Sequence, residues 1–384
     1  HLTLGTLPRT HSEAMVRHIP GGQHLPPKIV QQIVRKADGV PLYLEELTKA
    51  VVESGSPEVQ EVRAPQGKLS LSTLQIGIPA TLHDTLMTRL DRLGAAKEVA
   101  QVGAVVGREF SYDLLHALGM FDVNVLETTL PHLVAAELVY QRGVGKQVSY
   151  AFKHTLIQDA AYQSLLKSTR QHYHQQIASV LESHFPEVKG AQPELLAHHY
   201  TEAGLAAQAI EYWQQAGQRA TQRSANLEAV AHFTRALALL ETQPETPERV
   251  PQELMLQLAL GTPLLSTKGH GSPEVEATYT RARELCRQMG DTPPLFPVLF
   301  GLWRFYFGRA QIAKARELAE YLLERAQSTD DVVLRLYSHA ILGQTLLIMG
   351  AYTQAVEQSD QGLALYDPEQ HRSYVYLYGN DARI

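Results

Sequence analysis

Small residues recur at fixed places in the last part of this 384-residue chain, and that recurrence limits its fold more than any other feature. Leu342-Gly343, Leu346, Gly350, Ala355, Gly362 and Pro368 form one set, and Trp213, Gly217, Ala220, Ala229, Phe233 and Ala236 repeat its spacing. Trp303, Tyr306, Ala315 and Ala319 follow it more loosely. Gly and Ala let two antiparallel helices approach closely, and Pro ends a pair because it cannot continue the hydrogen-bond ladder. A chain built this way stacks helix pairs into a solenoid whose neighbours share one core and leave a groove free. Eleven helical patterns support this reading, at 155–166, 170–183, 193–203, 206–223, 227–240, 252–260, 275–288, 298–307, 312–326, 332–349 and 352–366.

The stack begins at Tyr150–Tyr162, where strand periodicity gives way to helical periodicity. Val148, Tyr150 and Phe152 alternate as a half-buried strand does, His154 marks the turn, and Thr155 is placed to cap the helix carrying Leu156, Ile157, Ala160 and Ala161. Before it, Leu82, Leu86, Leu90 and Leu93 give an amphipathic helix over 79–93, and a second helix spans 95–106. Ser111 caps a third ending at Gly119, and Asn124 with Glu127 suggests a capping box for a fourth over 125–137. Residues 138–141 and 147–152 then pair as a hairpin about Gly143-Val144-Gly145. Helices followed by a two-stranded ribbon are the layout of a winged helix.

Nearer the start, His1–Leu7 alternates like a strand, the expected last strand of a domain lying outside the chain. Pro26-Pro27 opens a helix ending near Asp38-Gly39, and Pro41 opens another to Gly55. Residues 56–77 mix Pro, Gly, Ser and charges as a linker does. The expected fold is therefore mainly α: residues 1–55 the end of a core and a helical segment, 56–77 a linker, 78–166 a winged helix with a short β-hairpin, and 167–384 a helical-repeat solenoid continuing past Ile384.

Composition narrows the function classes. One cysteine, Cys286, excludes an internal disulfide and suits a reducing cytoplasm, and no apolar run approaches the ~20 residues of a membrane span. A net charge of −6, and nine acids against seven Lys and Arg in 77–165, disfavour direct nucleic-acid binding by the winged helix. His172, His174, His198 and His199 lack carboxylates at a metal-site spacing, so a catalytic or metal centre is not expected.

Four segments in order, Gly39–Val51 (GVPLYLEELTKAV), Ile78–Leu93 (IPATLHDTLMTRLDRL), Val105–Leu115 (VVGREFSYDLL) and Tyr150–Leu166 (YAFKHTLIQDAAYQSLL), resemble the STAND class of signalling ATPases, especially bacterial members fused to adenylate/guanylate cyclase domains. The resemblance covers nearly the whole chain. It implies an upstream ATPase core in cis, then lid, winged helix and a tetratricopeptide region that binds a protein partner, and an ATP/ADP switch feeding a cyclase or other output. Gly39 and Pro41 match a lid motif whose proline packs near adenine, and His154 matches a histidine touching the β-phosphate of ADP, although the acidic neighbour of that motif is Thr155 here. From the residues alone Gly39-Val40-Pro41 also reads as helix punctuation, and His154 as a structural histidine at a strand–helix junction. Trp213, Trp303 and Tyr306 read first as repeat core, with a partner groove as the other reading.

No G-x-x-x-x-G-K-[ST] loop occurs, so the chain supplies neither a phosphate cradle nor a Ser/Thr for magnesium; any ATP hydrolysis belongs to the upstream core. The expectation is a regulatory sensor region, against a nucleotide-independent repeat scaffold and a transcription regulator.

Overall fold

The structure is a computed structural model and describes residues 5–53, 81–143, 148–290 and 295–367. The expected linker at 56–77 and the Gly143–Gly145 turn beyond Gly143 lie outside the described residues. Nineteen α-helices and three short strands occur among those described, so the fold is mainly α, as the periodicities imply. The chain forms two compact units, residues 1–180 and 181–384.

The first unit opens with a correction. Of the strand expected at His1–Leu7, residues 1–4 lie outside the described residues and 5–7 are not a strand; Leu7 donates its N–H to Gly39 O at 2.7 Å, and α1 (Arg9–His18) follows at once. That helix is polar on most of its surface and buries only Ser12 and Val16, so its apolar stripe is too thin to read. Helices α2 (Pro27–Ala37) and α3 (Pro41–Glu53) start at their prolines as expected. Val16, Leu25, Ile29, Ile33, Leu44, Leu47 and Val51 form their shared core.

A second core follows in the same unit. It gathers α4 (Leu82–Asp91), α5 (Ala95–Val106), β1 (Glu109–Ser111), α6 (Tyr112–Ala117), α7 (Val123–Ala135), β2 (Val139–Arg142), β3 (Ser149–Phe152) and α8 (Thr155–Gln163). The sheet has three antiparallel strands rather than two, in the order β1-β3-β2, with Phe110 opposite Tyr150 and Val139 opposite Phe152. Strand β1 is three residues long and buries only Phe110, which leaves no alternation to count. Strand β3 is the central strand, and its Tyr150, Ala151 and Phe152 are all buried.

Caps divide the same way. The Ser111 hydroxyl accepts the Leu114 N–H at 3.1 Å, as expected. Asn124 and Glu127 form no capping box, because α7 starts two residues earlier than expected, with Asp122 at its N-cap. The box sits instead at Thr81 and Asp84, each side chain accepting the other's backbone N–H. Thr155 is the first residue of α8, not its cap; His154 holds that place, with backbone φ −138° and ψ 146°.

The chain passes through α9 (Lys167–His184) into the second unit. Its helices α10 (Pro186–Ala191), α11 (Pro193–Glu202), α12 (Ala206–Gln222), α13 (Asn226–Glu241), α14 (Arg249–Lys268), α15 (Pro273–Gln288), α16 (Leu295–Gly308), α17 (Ile312–Gln327), α18 (Val332–Ile348) and α19 (Tyr352–Leu365) pack on their sequence neighbours as a helical solenoid. Helix α14 runs past the expected stop at Leu260, through Gly261 and Pro263. An interior proline costs about 3 kcal/mol; burial of Leu260, Pro263, Leu264 and Leu265 offsets it here.

Candidate functional site

The lid residues of the sequence reading fall at one helix start. Asp38, with φ +46°, closes α2 in the left-handed region, and Gly39 follows at φ +73°. A side chain is excluded at Gly39, where a Cβ would lie 2.4 Å from Leu7 O. Pro41 is exposed at the first position of α3. Gly39 also borders a cavity of about 620 Å³ lined by Arg9, Lys28 and Arg35, with Ser12, Gln32 and Asp38. Three cations against one carboxylate give that hollow a positive field, although Arg9 is shared with Glu13 at 3.1 Å.

His154 is half-buried where β3 turns into α8. Its carbonyl accepts the Ile157 N–H at 3.0 Å. The residue before it carries the connection to the lid: Lys153 Nζ lies 2.6 Å from Glu45 Oε1 on α3 and 3.2 Å from Glu137 Oε2 after α7. Lys49, one turn beyond Glu45 on α3, bridges the same two carboxylates, at 2.7 Å to Glu45. Burial alone pushes the Glu45 carboxyl up, but hydrogen bonds and charge from Lys153 and Lys49 bring it down to about 2. Glu137 is lowered by the same two lysines, and Lys153 is raised: its hydrogen bonds to Glu45 and Glu137 outweigh desolvation.

A second bridge is dry. Arg89 of α4, 3% exposed, pairs with the fully buried Glu46 of α3 and with Glu53 at 3.0 Å, and gives another N–H to Ala136 O at 2.7 Å. Desolvation lowers the Arg89 pKa, but Glu46 and Glu53 outweigh it and the net shift is upward. One oxygen, Glu46 Oε1, has no hydrogen-bond partner among the described residues. Arg92 adds a bond to Ala50 O at 3.1 Å. Helix α3 is thus tied by charged side chains to α4, to the end of α7 and, through Lys153, to the residue beside His154.

Sequence reasoning missed this junction. Its signal was present locally: Arg89 interrupts the apolar stripe of Leu82, Leu86 and Leu90, and Glu46 and Glu53, seven positions apart, put two carboxylates on one face of a helix. What no local pattern contains is that Lys153 and Glu137 come to the same helix.

In the second unit Trp213 and Trp303 are buried, their indole N–H groups donated to Thr201 Oγ1 at 3.0 Å and Thr345 Oγ1 at 2.9 Å. They are core, and of the three groove candidates only Tyr306 is half-buried, beneath the Lys314 ammonium. Cys286 is buried in the core. Among the described residues no three His, Cys, Asp or Glu gather as a metal site, and no helix is long and apolar enough to cross a membrane.

No family model matches the chain. An uncharacterized protein of Rhizobium meliloti is 26% identical over 363 residues, which cover 93% of this chain and 34% of that protein. The chain therefore spans about a third of the length of the curated relative it matches. Among solved structures, a Signal Transduction ATPase with Numerous Domains (STAND) protein with a tetratricopeptide repeat sensor, from Pyrococcus horikoshii, aligns at TM-score 0.32 and 13% identity, over 97% of this chain and 56% of its own. BtubC of P. vanneervenii aligns at TM-score 0.30 and 12% identity, over 73% of this chain and 90% of its own. Alignments this loose assign no activity.

Proposed function

We propose that the chain is the regulatory region of a cytoplasmic ATP-dependent signalling protein of the STAND kind. In this reading α1–α3 are the lid, the segment from α4 to α8 is a winged helix, and the helical repeats are a tetratricopeptide-like sensor for a protein partner. Gly39 and Pro41 would border the adenine, and His154 would donate a hydrogen bond to the β-phosphate of ADP, both completed by a P-loop core upstream that also carries any magnesium.

One observation carries the reading. Helix α3, which begins at Pro41, is ion-paired through Glu45 to Lys153, the residue next to His154. A nucleotide gripped by both motifs would hold that junction closed, and its exchange would release it. Partner binding on the repeats opens the switch only insofar as the partner prefers the open state. The positive hollow beside Gly39 adds charge suited to a phosphate-bearing ligand.

The rival reading as a DNA-binding regulator loses support from the same contacts. Arg89 and Lys153, with side chains 2% and 14% exposed, are committed to carboxylates of this chain rather than displayed to phosphates.

The experiment is ADP calorimetry on the protein extended upstream through a P-loop core, comparing wild type with Pro41→Ala and His154→Ala. Loss of about 1–3 kcal/mol of binding in both supports the reading; full ADP affinity in folded variants makes both motifs architectural.

A further inference from the structure

A second hollow, of about 660 Å³, lies entirely in the second unit. Helices α12, α14 and α16, the first members of three successive pairs, line it; Met255 and Thr262 on α14 and Phe300 and Arg304 on α16 belong to its wall. Its floor is aromatic, and part of that floor comes from the second members of the pairs. Phe233 of α13 lies against Gly217, where a Cβ would be 2.6 Å from its ring. Tyr279 of α15 is threaded between Gly261 and Gly301, where a Cβ would be 2.3 Å from its hydroxyl and 2.1 Å from its ring. One glycine on each first helix therefore opens the gap through which an aromatic ring reaches the hollow.

The volume is that of a small-molecule site, roughly 300–1,000 Å³, and the composition matches too: mostly apolar, with a few polar side chains, Thr262 and Arg304 among them. Arg304 carries the only formal charge among the described lining residues. Its guanidinium lies 3.3 Å from His270 Nε2, and burial opposes its charge while the Tyr279 phenol favours it. An anionic group brought to Arg304 in this low-dielectric setting makes a charge-assisted hydrogen bond of the strong kind.

The geometry points to a binding site for a small amphipathic anion, an aromatic or aliphatic carboxylate, with its apolar body against Phe233, Tyr279 and Phe300 and its carboxylate on Arg304. The site would make the repeats a receptor for a metabolite-sized effector in addition to any protein partner. It needs only the repeat helices, so it stands or falls apart from the nucleotide reading.

The test uses the full 384-residue chain and three probes: anilinonaphthalene sulfonate as fluorescent reporter, phenylhexanoate, and the neutral phenylhexanol. Phenylhexanoate is expected to displace the reporter saturably and to bind at least about tenfold more tightly than the alcohol, the size of one charged hydrogen bond. Arg304→Gln should erase that preference, Arg304→Lys should keep part of it, and Ala259→Phe, which fills the hollow, should remove both ligands without changing the far-ultraviolet circular dichroism. Absence of saturable displacement, equal affinity for acid and alcohol in the wild type, or binding that survives Ala259→Phe would overturn the site. Displacement of the reporter only by an acidic peptide would do the same, because the hollow would then be a protein groove.

Discussion

The two units solve the problem of joining helices by opposite means. At the junction of α3 with α4, α7 and β3, the contacts that fix position are charges: Arg89 with Glu46 and Glu53, and Lys153 and Lys49 with Glu45 and Glu137. In the repeats the fixing contacts are aromatic rings set against glycines, Phe233 on Gly217 and Tyr279 between Gly261 and Gly301. A buried ion pair adds little net stability relative to well-packed apolar residues, but half of it left alone is costly, so it favours one arrangement and penalises its neighbours. Ring-into-glycine packing fixes position by shape instead, and a single added methyl group is enough to disturb it. The first therefore depends on each pair staying whole, and the second on the absent side chain at each glycine.

The contrast can be broken at either end. Both tryptophans of the chain, Trp213 and Trp303, lie in the second unit, so tryptophan fluorescence follows that unit and amide hydrogen exchange on α3–α8 follows the first. The largest effect is expected for Arg89→Met, which strands the buried Glu46 carboxylate; a loss of about 3–5 kcal/mol in the protection of α3 is predicted, with the fluorescence transition much less affected. Next is Gly301→Ala. Its Cβ would collide with Tyr279, and urea unfolding followed by tryptophan fluorescence should show a loss of about 1–3 kcal/mol.

A smaller effect, and a sharper one, comes from Glu45→Gln. The folded carboxyl titrates at about 2 against an ordinary 4.5. A carboxyl more acidic in the folded state contributes its stability in full above 4.5 and loses it as the pH falls toward 2. Wild type should therefore exceed the variant by about 1 kcal/mol at neutral pH, and the gap should close across that acidic window in hydrogen exchange of α3. The smallest is Ser111→Ala, which removes one hydrogen bond at a helix cap and should cost about 0.5–1 kcal/mol in the first unit, read by hydrogen exchange of α6.

How much of this was legible follows from the range of each contact. Helix starts at Pro27 and Pro41, the Ser111 cap and the stacked repeats rest on residues a few positions apart, and all were readable. Strand β1 was not, because three residues carry no period and its partner β3 lies about forty positions on. The run of α14 through Gly261 and Pro263 was hidden because the glycine and proline chemistry that ends an exposed helix is overridden by burial. At the candidate site, the positions of Gly39, Pro41 and His154 were legible, but the bridge between them was not. Glu45 and Lys153 are 108 residues apart, and neither carries a mark of the other.

That bridge is where the functional reading is most exposed. In the upstream-extended protein, a double-mutant cycle of Glu45→Gln and Lys153→Met should be read as ADP affinity. Neither side chain is assigned to the nucleotide, so a coupling of about 1 kcal/mol or more between them would mean that the α3 junction and the nucleotide site form one switch. Additive effects on ADP binding, with no coupling, would contradict it and leave the ion pairs as scaffolding.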